Sequence, residues 1–473
     1  LAGTGVVFWL MPDSLIRFTI ALLPRLLYRV TVIGRNAVPR EGGALLVPNH
    51  VSFIDGLLLM ASLDRPIRFV MDARYTAHPL ARPIARALGA IPIASGSGPR
   101  VILRALGDAG KALDRGELVC IFPEGQITRT GGLLPFRRGF ERIVKGRSVP
   151  IIPVHLDRIW GSIFSFVGGR FLTKWPSRIP FPITISFGTP LPSDAPVPEV
   201  RRAVQELGEA AWHLRKQDRI PLHRAAIRSM RRHPFRLAMA DATKPSVRCW
   251  EALTGTVALA RLLRPHWKDQ QTVGIMLPPS VAGALVNIAA TVAGHPTVNL
   301  NYTVGRGGLE SAIQQASLRT VVTSRQFVEK AKLDLPSNVT MLWLDDLANG
   351  IGAPQRLLAM VLGLFAPLRW LERACGATKP TTMDDIVTII FSSGSTGEPK
   401  GVMLSHFSID ANIEAALQVF HLDARDRLLG ILPFFHSFGY LLVLWLSTIN
   451  GNMVAYHPSP LDVVGVGEVT HRY

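Results

Sequence analysis

Ala44-Leu45-Leu46-Val47-Pro48-Asn49-His50-Val51-Ser52-Phe53-Ile54-Asp55 is an unbroken apolar run, a Pro-Asn turn signal, a histidine and, five residues on, an aspartate. The apolar stretch Gly56 to Leu63 follows directly. This pattern reads as a buried strand that ends in a turn and hands over to a helix. Outward from it, Tyr28 to Gly34, Ile67 to Met71, Ala90 to Ala94, Leu118 to Phe122 and Val149 to Leu156 also read as strands. Between them, Val101 to Arg115 carries Val101, Leu103, Leu106 and Leu113 at helical spacing. Alternating strands and helices predict an α/β sandwich. Residues 28–215 form this first domain in the sequence reading, after a basic amphipathic segment over 1–27. A charged helix, Val200 to Lys216, then gives way to a basic linker over 216–235. A second α/β region, 236–473, opens with Trp250 to Leu263, and Val273 to Pro279 precedes a helix of small residues.

At 473 residues the chain is long enough for two cores, and 48% apolar content excludes a mostly disordered protein. Lys and Arg number 52 against 34 Asp and Glu, a formal net charge of +18, which draws the chain toward anionic surfaces. There is no zinc-finger spacing, RNP-like motif or long Lys/Arg run, so an anionic membrane surface is favoured as partner and nucleic acid is not expected. Cys120, Cys249 and Cys375 are odd in number and far apart, so reduced thiols are expected, with no metal site or disulfide framework. Leu15 to Val30 is apolar but interrupted by Arg17, Pro24, Arg25 and Arg29, which suits a helix lying in a membrane interface. Thr272 to Asn301 has no charged residue, yet its Pro and Gly breaks predict strand, turn, buried helix and strand rather than a membrane span.

His50 and Asp55 form a base with a carboxylate able to orient it. On a regular helix, residues five apart diverge by about 140°, so the pair requires His50 in the turn and Asp55 just inside the helix. Some seventy residues downstream, Phe122-Pro123-Glu124-Gly125 places a Glu in a Gly-ended turn after the apolar run Leu118 to Ile121. Phe136-Arg137-Arg138-Gly139-Phe140 adds cationic groups beyond it.

In this order and spacing the two motifs resemble the glycerolipid acyltransferase superfamily, over roughly residues 28–215. The resemblance implies catalysis by His50 and Asp55, with acceptor binding by Glu124, Gly125, Arg137 and Arg138. Arg100 would substitute for a phosphate-binding Arg missing from the degenerate block Gly89 to Ala94. The run Gln126-Ile127-Thr128-Arg129-Thr130-Gly131 is similar to the bifunctional acyl-ACP synthetase/2-acylglycerophosphoethanolamine acyltransferase branch, although Gln126 stands where an Arg is expected. That likeness implies acyl transfer, without a cofactor, from an acyl carrier protein or CoA thioester to a lysophospholipid. It also implies a place at the cytoplasmic face of the cell membrane, peripheral or fused to a preceding membrane domain.

Thr388 to Phe391 leads into Ser392-Ser393-Gly394-Ser395-Thr396-Gly397-Glu398-Pro399-Lys400-Gly401. It is not a Walker loop, because Pro399 stands where that motif requires Gly. It resembles the phosphate loop of adenylate-forming enzymes, which implies nucleotide binding by Ser392, Ser393, Gly394, Ser395, Thr396, Gly397 and Lys400, with ATP and Mg2+ used in the full-length protein. Leu432 to Gly439 resembles that family's next block, implying that His436 borders an acyl pocket. Later blocks of the family are not found before Tyr473, so the ligase half is expected to be truncated. Two rival readings stay open: a lysophosphatidic acid acyltransferase with a vestigial ligase half, and a non-catalytic membrane-binding scaffold.

Overall fold

A computed structural model describes residues 26–77, 82–87, 89–94, 98–169, 180–392, 399–420, 422–423 and 425–473. The expected membrane-associating segment thus lies almost wholly outside the described residues. The chain divides into two compact units between Gln217 and Asp218.

In the first unit, β1 (Tyr28–Ile33), β2 (Ala44–Pro48), β3 (Ile67–Asp72), β4 (Ile91–Ile93), β5 (Leu118–Cys120), β6 (Ile151–Asp157) and β7 (Phe181–Phe187) form one sheet, ordered β1-β7-β6-β2-β5-β3-β4. All neighbours are parallel except β6 and β7. The near-continuous apolar character of β2 follows from burial on both faces. Leu46 joins a core with Leu58, Cys120 and Ile152, whereas Leu45 and Val47 join a second with Leu106, Val119 and Phe140. Helices Asp55–Ser62 and Pro99–Asp114 belong to these opposite layers. The buried stripe of the second helix is Ala105, Leu106, Ala109, Ala112 and Leu113. Val101 and Leu103, expected on its apolar face, are exposed instead.

In the second unit, β8 (Leu237–Ala240), β9 (Val247–Arg248), β10 (Val273–Ile275), β11 (Thr297–Asn299), β12 (Thr320–Thr323), β13 (Thr340–Trp343), β14 (Ile386–Ser392), β15 (Lys400–Ser405), β16 (Arg427–Gly430) and β17 (Met453–Tyr456) make two sheets. Their orders are β13-β12-β10-β11-β14-β15 and β16-β17-β8-β9. Thr272 to Asn301 resolves into β10, the buried helix Val281–Val292 and β11. Among the described residues, no helix is long and apolar enough to cross a membrane.

The stretch 216–235 is not a linker. It contains the helix Leu222–Arg232, whose Leu222, Ala226, Ile227 and Met230 enter the second unit's core. Its basic composition comes from the other positions, among them the exposed Arg228 and Arg232.

Candidate active site

Strands β2 and β5 are parallel neighbours, with Leu45 opposite Val119 and Leu46 opposite Cys120. The turns after them therefore emerge at the same sheet edge, where ligand sites of parallel sheets gather. His50 leaves β2 in a turn and Asp55 is the first residue of the following helix, as the pairing requires. Asp55 Oδ2 lies 2.9 Å from His50 Nδ1 and also accepts the N–H groups of Val51 (2.7 Å) and Ser52 (2.9 Å). Its Oδ1 accepts from the Ser52 hydroxyl at 2.5 Å. The carboxylate is fully buried, and this set of donors offsets its lost hydration. With Nδ1 engaged, Nε2 is the ring nitrogen left to meet a substrate.

The Phe-Pro-Glu-Gly turn is built against the histidine. The Phe122 and His50 rings stack with centroids 4.0 Å apart. Glu124 is buried; its Oε1 accepts the His50 N–H at 2.8 Å and its Oε2 the Leu134 N–H at 3.0 Å. Burial raises its pKa to about 7, against the opposing pull of the two backbone donors. Glu124 is therefore not a solvated turn residue. The Thr128 N–H donates to the His50 carbonyl at 2.9 Å. Asn49 clamps β2 to β6, its Oδ1 accepting from the Leu156 N–H (2.7 Å) and its Nδ2 donating to the Leu156 carbonyl (3.2 Å).

Gly125 has φ +69, and a Cβ there would lie 2.9 Å from Arg137 Nε. Arg137 therefore lies across the Glu-Gly turn. Arg138 points elsewhere, exposed and 3.8 Å from Glu141. Arg100 is exposed in the first turn of Pro99–Asp114, and among the described residues it has no hydrogen bond or ion pair to the His50 cluster.

Other groups beside the His50 turn are not evident from the motifs. Phe53 packs edge-on against Phe166 at 5.6 Å, and the Arg129 guanidinium lies 3.7 Å over the Phe166 ring. The Phe53 N–H donates to the Phe164 carbonyl at 3.3 Å, which holds this distant segment in place. An apolar surface next to a base, with a cation at its edge, suits an amphiphilic substrate.

In the second unit, β14 and β15 form an antiparallel pair with Ser392 opposite Lys400. Both residues are exposed, and the Ser392 hydroxyl donates to the Lys400 carbonyl at 3.4 Å. Ser393, Gly394, Ser395, Thr396 and Gly397 lie outside the described residues. The described flanks offer one hydroxyl and one cation, which fits a polyphosphate. His436 is exposed beside the buried Phe435, with ring centroids 4.8 Å apart, so it is not a core histidine. Among the described residues, no three or more His, Cys, Asp or Glu are placed to hold a metal.

A family model described as Acyltransferase matches residues 29–157, and one described as AMP-binding enzyme matches residues 228–471, more than half of the chain. A 4-coumarate–CoA ligase of Pinus taeda is 29% identical over 237 residues, 48% of this chain and 42% of the relative. A long-chain-fatty-acid–CoA ligase of Bacillus subtilis is 26% identical over 239 residues, 46% of this chain and 43% of the relative. The chain thus spans about two fifths of the length of these curated relatives. Among solved structures, an o-succinylbenzoate CoA synthetase of Bacillus subtilis aligns with TM-score 0.43 and 20% identity, over 54% of this chain and 47% of that one. AMP-binding enzymes use ATP, and the first unit carries the base-and-carboxylate pair described above. By these matches the chain belongs to the AMP-binding enzyme family and carries an acyltransferase domain ahead of its AMP-binding region.

Proposed function

We propose that the first unit transfers a fatty acyl group from an acyl thioester, on an acyl carrier protein or CoA, to a lysophospholipid such as 2-acylglycerophosphoethanolamine. In a longer protein this step would be coupled to ATP-dependent fatty acid activation by the second unit. The observation that carries the reading is the His50–Asp55 pair, held at 2.9 Å and pinned by Val51 and Ser52.

His50 Nε2 takes the acceptor hydroxyl proton as that oxygen attacks the thioester carbonyl carbon. Asp55 supports the imidazolium through Nδ1. Collapse of the tetrahedral intermediate forms the ester and expels the thiolate, which takes the proton back from Nε2. Glu124 holds the His50 turn through backbone bonds, and Gly125 allows close approach of the chain to Arg137. Arg137, across the Glu-Gly turn, and Arg129, over the Phe166 ring, are the cations offered to a lipid phosphate. Arg100 and Arg138 keep the weaker role of outlying cations. The Phe53–Phe166 pair offers apolar surface to the acyl chain.

In the second unit, Ser392 and Lys400 would flank the nucleotide phosphates, with ATP supplying the energy of activation. His436 would border the acyl pocket beside Phe435. A net charge of +18 supports work at an anionic membrane surface, on its cytoplasmic face.

The test offers preformed acyl carrier protein and CoA thioesters without ATP to lysophosphatidylethanolamine, lysophosphatidic acid and glycerol 3-phosphate. Transfer to lysophosphatidylethanolamine above the others supports the proposal. Transfer confined to lysophosphatidic acid favours the rival acceptor, and no transfer to any removes the acyl-transfer reading.

A further inference from the structure

The helix Ala353–Phe365 in the second unit is apolar on two sides, and its fold uses only one. Inward, Ala359 and Gly363 are buried, and a Cβ on Gly363 would lie 3.0 Å from Leu253 in the helix Cys249–Trp267. Arg231 locks the carboxyl end of the helix by donating to the carbonyls of Gly363 (2.7 Å), Leu362 (3.3 Å) and Ala366 (2.7 Å). Outward, Leu357, Leu358, Val361 and Phe365 fall within about 100° of one another around the axis and are all exposed, Phe365 by 76%. Trp370, 70% exposed, follows on the short helix Leu368–Cys375. A surface helix ordinarily turns polar residues to water on this side.

The charges around the stripe identify what covers it. Arg356, Arg369 and Arg373 are exposed on the same two helices. The single carboxylate between residues 353 and 375 is Glu372, which is buried and held by His223 and Arg224. The exposed surface of this segment therefore carries cations and no carboxylate. A twofold pairing with a second copy would set these arginines against themselves. At 13 residues, about 20 Å, the helix is too short to cross a bilayer. An apolar stripe ending in Phe and Trp and flanked by arginines suits a helix lying in a lipid interface.

We propose that Ala353–Phe365 and Leu368–Cys375 dock the second unit onto an anionic lipid bilayer, with Leu357, Leu358, Val361, Phe365 and Trp370 entering the interface and the three arginines meeting lipid head groups. This deepens the membrane part of the proposed function through other residues. Its test reads position rather than acyl transfer, so either can fail alone.

The test labels Phe365→Cys in the full 473-residue chain with an environment-sensitive dye. The three native cysteines are buried, so the label goes to the new thiol. Vesicles of phosphatidylcholine containing phosphatidylglycerol are expected to shift the emission to the blue, and pure phosphatidylcholine vesicles far less. Each arginine near an anionic surface strengthens binding about fivefold. Adding Arg356→Gln, Arg369→Gln and Arg373→Gln should therefore raise the half-maximal lipid concentration on the order of 100-fold. No shift on either vesicle, an equal shift on both, or an unchanged midpoint in the arginine variant would overturn the proposal. So would a blue shift that grows with protein concentration in the absence of vesicles, which would assign the face to a second copy.

Discussion

The two loop-bearing strand ends of this molecule differ in how much of their polar chemistry is fixed in advance. Around His50, Asp55 meets the histidine and three further donors, and Glu124 binds two backbone N–H groups; both carboxylates are buried. At the β14–β15 hairpin, Ser392 and Lys400 are exposed and share one long hydrogen bond. The first arrangement suits proton transfer, where the ring must be oriented before the substrate arrives. The second suits a highly charged ligand, for which an exposed cation and hydroxyl suffice as flanks. Substitutions in the first region should therefore cost both folding and activity, and those in the second should leave folding unchanged.

Asp55→Asn should break the first region most severely. The side chain keeps its shape but no longer supports an imidazolium, so acyl transfer should fall on the order of 10²–10⁴-fold. An amide nitrogen facing buried N–H donors should also cost about 1–3 kcal/mol in urea unfolding. Loss of stability with full activity would separate Asp55 from the chemistry.

Glu124→Gln sharpens the comparison through pH. Its folded pKa of about 7 stands above the ordinary 4.5, so the folded state binds the proton more tightly. The associated stability is fully present below about pH 4.5 and is lost as pH rises through about 7. Its size is of the order of 3 kcal/mol. Gln does not titrate, so the stability gap between wild type and variant should narrow between pH 5 and pH 7.5. A gap independent of pH would contradict the burial argument.

Gly125→Ala should cost about 1–3 kcal/mol, because φ of +69 strains any residue with a Cβ. The new methyl also displaces Arg137. Thermal unfolding reads the strain, and a raised acceptor KM would read the displaced guanidinium. Lys400→Gln gives the smallest expected effect, within about 0.5 kcal/mol in the same unfolding assay. A larger loss would mean that Lys400 has a structural role and would collapse the contrast.

Much of this was legible in the sequence because it depended on local chemistry. His50 and Asp55 are related by a turn whose geometry five residues determine, and the buried helix Val281–Val292 was marked by its flanking Pro and Gly. What depended on distant partners was hidden. Glu124 looked like a ligand-facing turn residue; its bonds to His50 and Leu134 follow from β2 lying beside β5. Phe166 and Arg129 join the His50 turn only because the 162–166 segment folds back on it. Strand β7 is not among the strands expected from the sequence, although Ile183-Thr184-Ile185-Ser186-Phe187 alternates and Pro182 stands near its start. The helix Leu222–Arg232 falls within the expected linker because its four arginines make the stretch basic, while its buried Leu222, Ala226, Ile227 and Met230 recur at helical spacing.

The most direct test of the account compares the intact chain with His50→Ala in acyl transfer from a preformed acyl thioester to lysophosphatidylethanolamine, without ATP. The expected result is transfer by the parent chain and a loss on the order of 10³-fold or more in the variant, which should be less stable but still folded under the assay conditions. Equal transfer by both proteins would contradict it, because the chemistry would then reside away from His50.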